Sequence, residues 1–183
     1  MNKSNLKSYA PQARKDFIAA VTARANLLGL SDKACTLEVA PAQTQGDVTV
    51  IAGQAWPAKV SGQRDKLIER IRKDGFAHTM EAVAYTWFNR FAALRYMELH
   101  DYLGHGHRAL SSTSGGLPDI LTHATDLTSE LPGLNATTVT ELKLAGNRDG
   151  ELYRMLLVAQ CNALSRPMPF LFERIDDDSG LLL

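Results

Sequence analysis

Early in the chain, apolar residues recur at helical spacing. Ala10, Ala13, Phe17, Ala20, Val21 and Leu28 mark one face and predict a helix over 9–28, stopped by Gly29. Pro11 is expected in the first turn of that helix, where a missing N–H costs no hydrogen bond. The pattern then shortens. Residues 35–40 and 47–52 are rich in Val, Ile, Thr and Leu and flank Pro41–Gly46, which predicts a single small hairpin. Residues 61–74 return to helical periodicity as a charged surface helix ended by Gly75.

Phe76 to Leu103 contains neither Pro nor Gly and is the longest helical candidate. Phe76, Met80, Val83, Trp87, Phe91, Leu94 and Met97 cover one side, while Tyr85, Phe88, Ala92, Tyr96, Leu99 and Tyr102 cover much of the rest. A helix apolar on most sides is expected to be buried and central. Residues 104–118, with Gly104, Gly106, Ser111–Gly116 and Pro118, read as a loop. A short helix is expected within 119–130, a second over 135–145 capped by Asn135, and a third over 149–164 ended by Pro167 and Pro169. The fold class is therefore mainly α with a small β-hairpin, a helical bundle around a buried central helix at about 76–103. It forms one domain over 1–183, or two lobes, 1–110 and 118–183, joined by the Ser/Gly loop. The terminal Leu181–Leu183 reads as the start of a further segment rather than a frayed tail.

Composition changes this picture little. The chain has 183 residues, 45% of them hydrophobic and 22% charged, which suits an ordinary folded domain. Twenty Lys and Arg balance twenty Asp and Glu. That balance gives no support to a free-standing nucleic-acid binder, which usually carries a basic excess. The distribution is uneven, however. Residues 1–29 hold Lys3, Lys7, Arg14, Lys15 and Arg24 against Asp16, and residues 59–74 hold Lys59, Arg64, Lys66, Arg70, Arg72 and Lys73 against Asp65, Glu69 and Asp74. Of these, Arg14, Lys15, Arg64, Lys66, Arg70, Arg72 and Lys73 are the candidate contacts to DNA phosphates or to a partner. Cys35 and Cys161 sit in unrelated patterns, so neither a disulfide framework nor a thiolate metal site follows. No secretory leader and no apolar run long enough for a membrane span is read, and the expected location is the cytoplasm.

Candidate chemistry is sparse. The seven prolines, Pro11, Pro41, Pro57, Pro118, Pro132, Pro167 and Pro169, are never adjacent, so a polar-Pro-Pro-aromatic loop that would hold a flipped adenine is missing from the chain. Tyr102-Leu103-Gly104-His105-Gly106 imitates a methyl-donor turn, but such a turn needs a strand before it, and Arg95–Leu103 is expected to be helical. His100, His105 and His107 with Asp101 contain metal-binding atoms in a loop without a second ligand cluster, so they read as solvated loop residues. Glu81, Asn89, Arg90, Arg95 and Glu98 fall within the apolar spine and are expected to form a structural polar network. Arg95 and Glu98 are spaced to pair along the helix, with a phosphate or partner role for Arg90 or Arg95 as the alternative. Catalytic, cofactor-binding and metal-binding residues are thus expected to be lacking in this chain.

Ordered motifs then suggest a family. The first is Asn5-Leu6-Lys7-Ser8-Tyr9-Ala10-Pro11-Gln12-Ala13-Arg14-Lys15-Asp16-Phe17. Next come Ala84-Tyr85-Thr86-Trp87-Phe88-Asn89-Arg90 and Arg95-Tyr96-Met97-Glu98-Leu99-His100. Leu144-Ala145-Gly146-Asn147, Glu151-Leu152-Tyr153-Arg154 and Met168-Pro169-Phe170-Leu171-Phe172-Glu173 follow. Together they resemble the amino-terminal helical region of the PglX family, the BREX adenine-specific DNA methyltransferases. The resemblance runs through almost the whole chain. It implies a larger parent that uses S-adenosylmethionine to methylate adenine in host DNA as part of phage defence. Its catalytic and target-recognition regions would lie outside these residues. The chain would then be a non-catalytic scaffold domain, packed on the parent's catalytic domain and lending basic residues to the DNA groove. The alternative is a protein-interaction module that docks other BREX proteins, or is bound by a phage antagonist, without touching DNA.

Overall fold

A computed structural model describes residues 3–175. The elements, in order, are α1 (Lys3–Leu27), β1 (Leu30–Lys33), β2 (Thr36–Val39), β3 (Ala42–Gln45), β4 (Val48–Ile51), β5 (Gln54–Pro57), α2 (Lys59–Asp74), α3 (Phe76–Leu99), α4 (Asp119–Thr122), α5 (Ala136–Ala145) and α6 (Asp149–Leu164). A single 3-10 turn at Asp126–Thr128 follows α4. The mainly helical class with a small antiparallel β component is as expected. The terminal leucines lie outside the described residues.

The described chain divides into two compact units, one reaching Phe88 and the other spanning Asn89–Ile175. The division falls within α3, whereas the Ser/Gly loop belongs wholly to the second unit.

In the first unit, α1 buries Ala13, Val21, Ala25 and Leu28 at the expected helical spacing. It begins earlier than the apolar pattern indicates, and Pro11 lies inside it rather than in the first turn. Proline there removes one backbone donor that the helix would otherwise use. Gly29 ends the helix with φ +67°, and a Cβ on it would sit 2.6 Å from Cβ of Ala40. Only glycine suits a left-handed backbone in such a close approach.

The single hairpin is corrected to two separate sheets. β1 pairs with β2, and β3, β4 and β5 form a three-stranded meander. The two expected strands never pair with each other: Val39 lies opposite Leu30, while Ile51 lies opposite Ala42 and Gln54. The tight turns explain the difference. Ala34 and Cys35 both take positive φ, as do Ala52 and Gly53. That geometry normally announces itself through Asn-Gly or Asp-Gly, which are lacking here. β4 alternates exposed and buried residues, placing Thr49 and Ile51 inward. Ile51 joins Leu28, Leu30, Val60, Leu67, Ile68, Ile71 and Met80 in this unit's core.

α3 carries the second correction. It stops at Leu99, and Asp101 takes φ +55° just beyond it. It is also buried along one side only. Thr79, Met80 and Ala84 are inward in its first part and Arg90, Leu94 and Glu98 in its second, while Tyr85, Tyr96 and Leu99 are exposed.

In the second unit, α6 packs against α4 and α5. Leu152, Leu156, Ala159 and Leu164 of α6 are buried in line with their periodicity, with Val139, Leu142, Ile120 and Phe172 also in the interior. Asn135 caps α5, its side chain accepting from the Thr138 N–H at 3.1 Å, and Gly146 closes it in the left-handed region.

Candidate functional site

The basic residues of the first unit divide by face. α2 turns Val60, Arg64, Leu67, Ile68 and Ile71 inward. Lys59, Lys66, Arg70, Arg72 and Lys73 are exposed, and Arg70 Nε stands 3.9 Å from Asp74. Arg64 therefore departs from its companions. Its side chain is buried, donating from Nε to the Leu28 carbonyl at 2.7 Å and from a terminal nitrogen to the Ala40 carbonyl at 2.6 Å. These bonds hold α2 to the end of α1 and to the strand link beyond Gly29. Burial lowers its pKa despite the nearby Asp65 carboxylate. Charge counting groups Arg64 with the surface cations, but it has the geometry of a core clamp.

On α1, Lys15 and Arg14 are exposed, and Arg14 pairs with Glu81 of α3. Arg24 lies over the Trp56 ring at 4.7 Å. Up to Phe88 there are twelve Lys and Arg against eight Asp and Glu; in Asn89–Ile175 there are eight against nine. Among the described residues, then, the basic excess belongs to the first unit alone.

The expected polar network resolves into separate pieces. Arg95 pairs with Glu98 as its spacing indicates. The Glu98 carboxylate, fully buried, also accepts from the Leu110 N–H at 2.7 Å and the Ser111 hydroxyl at 2.9 Å. Arg90 donates to the Glu173 carbonyl at 2.9 Å. Glu81 belongs with Arg14 in the first unit, and Asn89 is half-buried. These bonds fasten loop and tail segments onto α3. Ser111 is a member that no local pattern singles out.

The Gly-rich stretch 104–106 follows α3, not a strand, and α4 begins only at Asp119. Gly104 and Gly106 take positive φ, yet a Cβ on either would meet nothing within 4 Å. A donor turn joins a strand directly to the start of a helix, and neither element flanks these glycines. The histidines nearby are differently engaged. His105 Nε2 lies 2.6 Å from Oε1 of buried Gln160, and its Nδ1 accepts from the His107 N–H at 3.2 Å. The His107 ring stacks on His123 with centroids 4.2 Å apart and planes 12° apart. Stacked faces direct the ring nitrogens outward in parallel, not toward one point. Among the described residues there is no cluster of three or more His, Cys, Asp or Glu able to hold a metal ion. Burial lowers the His107 pKa, with His123 and His105 adding to the effect. Cys161 is buried and its thiol is pushed up to about 11 by desolvation, an inert packing residue. Gln160 carries no local signal, because its partner His105 is 55 positions away along the chain.

No known family model matches the chain. Two curated proteins align with all of it. It is 46% identical over 186 residues to the adenine-specific methyltransferase BrxX of Escherichia coli O9:H4 (strain HS), and 30% identical over 196 residues to the adenine-specific methyltransferase PglX of Lacticaseibacillus casei (strain Zhang). Its relatives are adenine-specific methyltransferases. The chain spans 15% of the BrxX relative and 16% of the PglX relative. It is thus similar, throughout its length, to one small part of much larger enzymes. No helix among the described residues is long and apolar enough to cross a membrane.

Proposed function

We propose that this chain is the amino-terminal, non-catalytic domain of a BREX-type adenine-specific DNA methyltransferase, and that it presents the outer face of α2 to the DNA backbone. In this reading the parent enzyme methylates host DNA with S-adenosylmethionine bound elsewhere, in the cytoplasm, as part of phage defence. The observation that carries it is the full-length similarity to a small part of such enzymes. Lys66, Arg70, Arg72 and Lys73 on the exposed face of α2 supply the phosphate contacts, joined by Lys15, whereas Arg14 is already matched by Glu81. Arg64 is excluded from that set by its burial.

Phosphate contacts release counterions, so each one steepens the fall of affinity with salt by about 0.9 in a double-logarithmic plot. Reversing Lys66, Arg70, Arg72 and Lys73 to Glu in the intact methyltransferase is expected to weaken DNA binding. The slope should flatten by about one for each phosphate that is no longer neutralised. An unchanged slope overturns the DNA-face reading. A second reading, a protein-interaction module without DNA contact, is favoured by the zero net charge of the chain. It predicts that this variant binds DNA normally but loses a BREX partner.

A further inference from the structure

Within the first unit, α1 and α3 enclose an open, apolar groove of about 490 Å³. Phe17 and Ile18 line it from α1, and Ala82, Tyr85 and Phe88 line it from α3. The Phe17 and Phe88 rings meet edge to face, 5.7 Å between centroids. Tyr85 is 68% exposed although it borders this surface. Arg14 and Glu81 also line the groove and pair with each other, so its charged residues are already matched.

We propose that this groove seats the apolar face of a helix from another part of the same methyltransferase polypeptide; the proposal rests on the chain being one module of a larger enzyme. Chemistry, shape and size select that occupant. A carbon-lined groove whose cation is neutralised by an anion does not suit a phosphate backbone, which needs unmatched positive charge. The lining runs from Ala10 to Ile18 on α1 and from His78 to Phe88 on α3. At 1.5 Å per residue this is roughly 12–15 Å, enough for helix anchors at i, i+4 and i+7, which span roughly 10 Å.

Size separates a tethered segment from a free partner. A groove of about 15 Å by about 10 Å offers on the order of 150–300 Å², far below the roughly 800 Å² per side of a stable interface between separate proteins. A weak contact of that size becomes effective when both halves belong to one chain, because the tether sets a local concentration in the millimolar range. The relatives supply such a chain: the part aligned here is 15% of the BrxX relative.

The test places a photo-cross-linking residue at the exposed position, Tyr85→p-benzoylphenylalanine, in the intact methyltransferase without DNA. The protein is irradiated, and the monomer band and any larger species are digested and mapped by mass spectrometry. The expected result is an adduct to a helical segment outside these 183 residues within the same polypeptide, cut several-fold by Ala82→Trp, which fills the groove. An adduct to a second copy, an adduct to another protein, adducts confined to these residues, or no adduct overturns the proposal. The measurement needs neither DNA nor methyl transfer. Failure of the α2 charge-reversal experiment and failure of the cross-link are therefore separate outcomes.

Discussion

Arg64 and Gly29 show how much one residue can decide. The guanidinium of Arg64 serves two backbone carbonyls that sit on different segments, Leu28 at the end of α1 and Ala40 beyond β2. Arg64→Met keeps a long side chain in the buried position but leaves both carbonyls without that donor. The expected loss is about 2–4 kcal/mol, because a buried acceptor left unpaired costs its desolvation. Gly29→Ala forces a side chain into the left-handed region and against Ala40, for an expected loss of at least about 1 kcal/mol. Urea unfolding of each variant measures both; a wild-type midpoint for Arg64→Met would refute the clamp, and one for Gly29→Ala the close approach to Ala40.

Elements depend on their ends and on the loops that cross them. α5 has little apolar periodicity to recommend it, yet its start is legible from Asn135 and its stop is set by Gly146. Asn135→Ala is expected to cost about 1 kcal/mol, read as a lower melting temperature. The loop after α3 carries a pH dependence. Around His107 stand His105, His123, Asp119 and Asp126, and burial and the two imidazoles lower its pKa below the ordinary value. The unfolded chain then binds a proton more readily than the folded one, so stability falls as pH drops below about 6.5 and levels off below the folded value. Asp119 adds a second, more acid step. Burial by itself would raise its pKa, but hydrogen bonds from Ser112, Thr113 and Arg108 outweigh that and hold it low. Its contribution is kept above the ordinary aspartate range and lost only as pH falls through its depressed folded value. Melting temperatures from pH 7.5 to 5 should fall less for His107→Asn than for the wild type; parallel curves would show that His107 plays no part.

At the scale of the whole molecule, neutrality conceals a division. The described residues up to Phe88 carry the basic excess, and Asn89–Ile175 are slightly acidic. If nucleic acid meets this chain, it meets the first unit. Lys143→Glu with Arg148→Glu, both in the second unit and both exposed, is expected to leave the salt slope of DNA binding by the intact enzyme unchanged. An equal loss there and in the α2 variant would show that total charge, not the α2 face, governs binding.

Helical class, the extents of α2, α5 and α6, the Asn135 cap and the Arg95–Glu98 pair are legible in the sequence, because each depends on neighbours within about four positions. Lack of a paired-proline catalytic loop in this chain is equally local, a matter of counting. Tertiary structure alone decided the rest. Two sheets replace one hairpin because Ala34–Cys35 and Ala52–Gly53 turn without the usual residues, so strand pairing followed packing instead of turn chemistry. Arg64 went inward because two carbonyls 24 and 36 residues away needed a donor. α3 exposes Tyr85 and Tyr96 because burial depends on which neighbours arrive, a fact that apolar spacing along one helix does not contain.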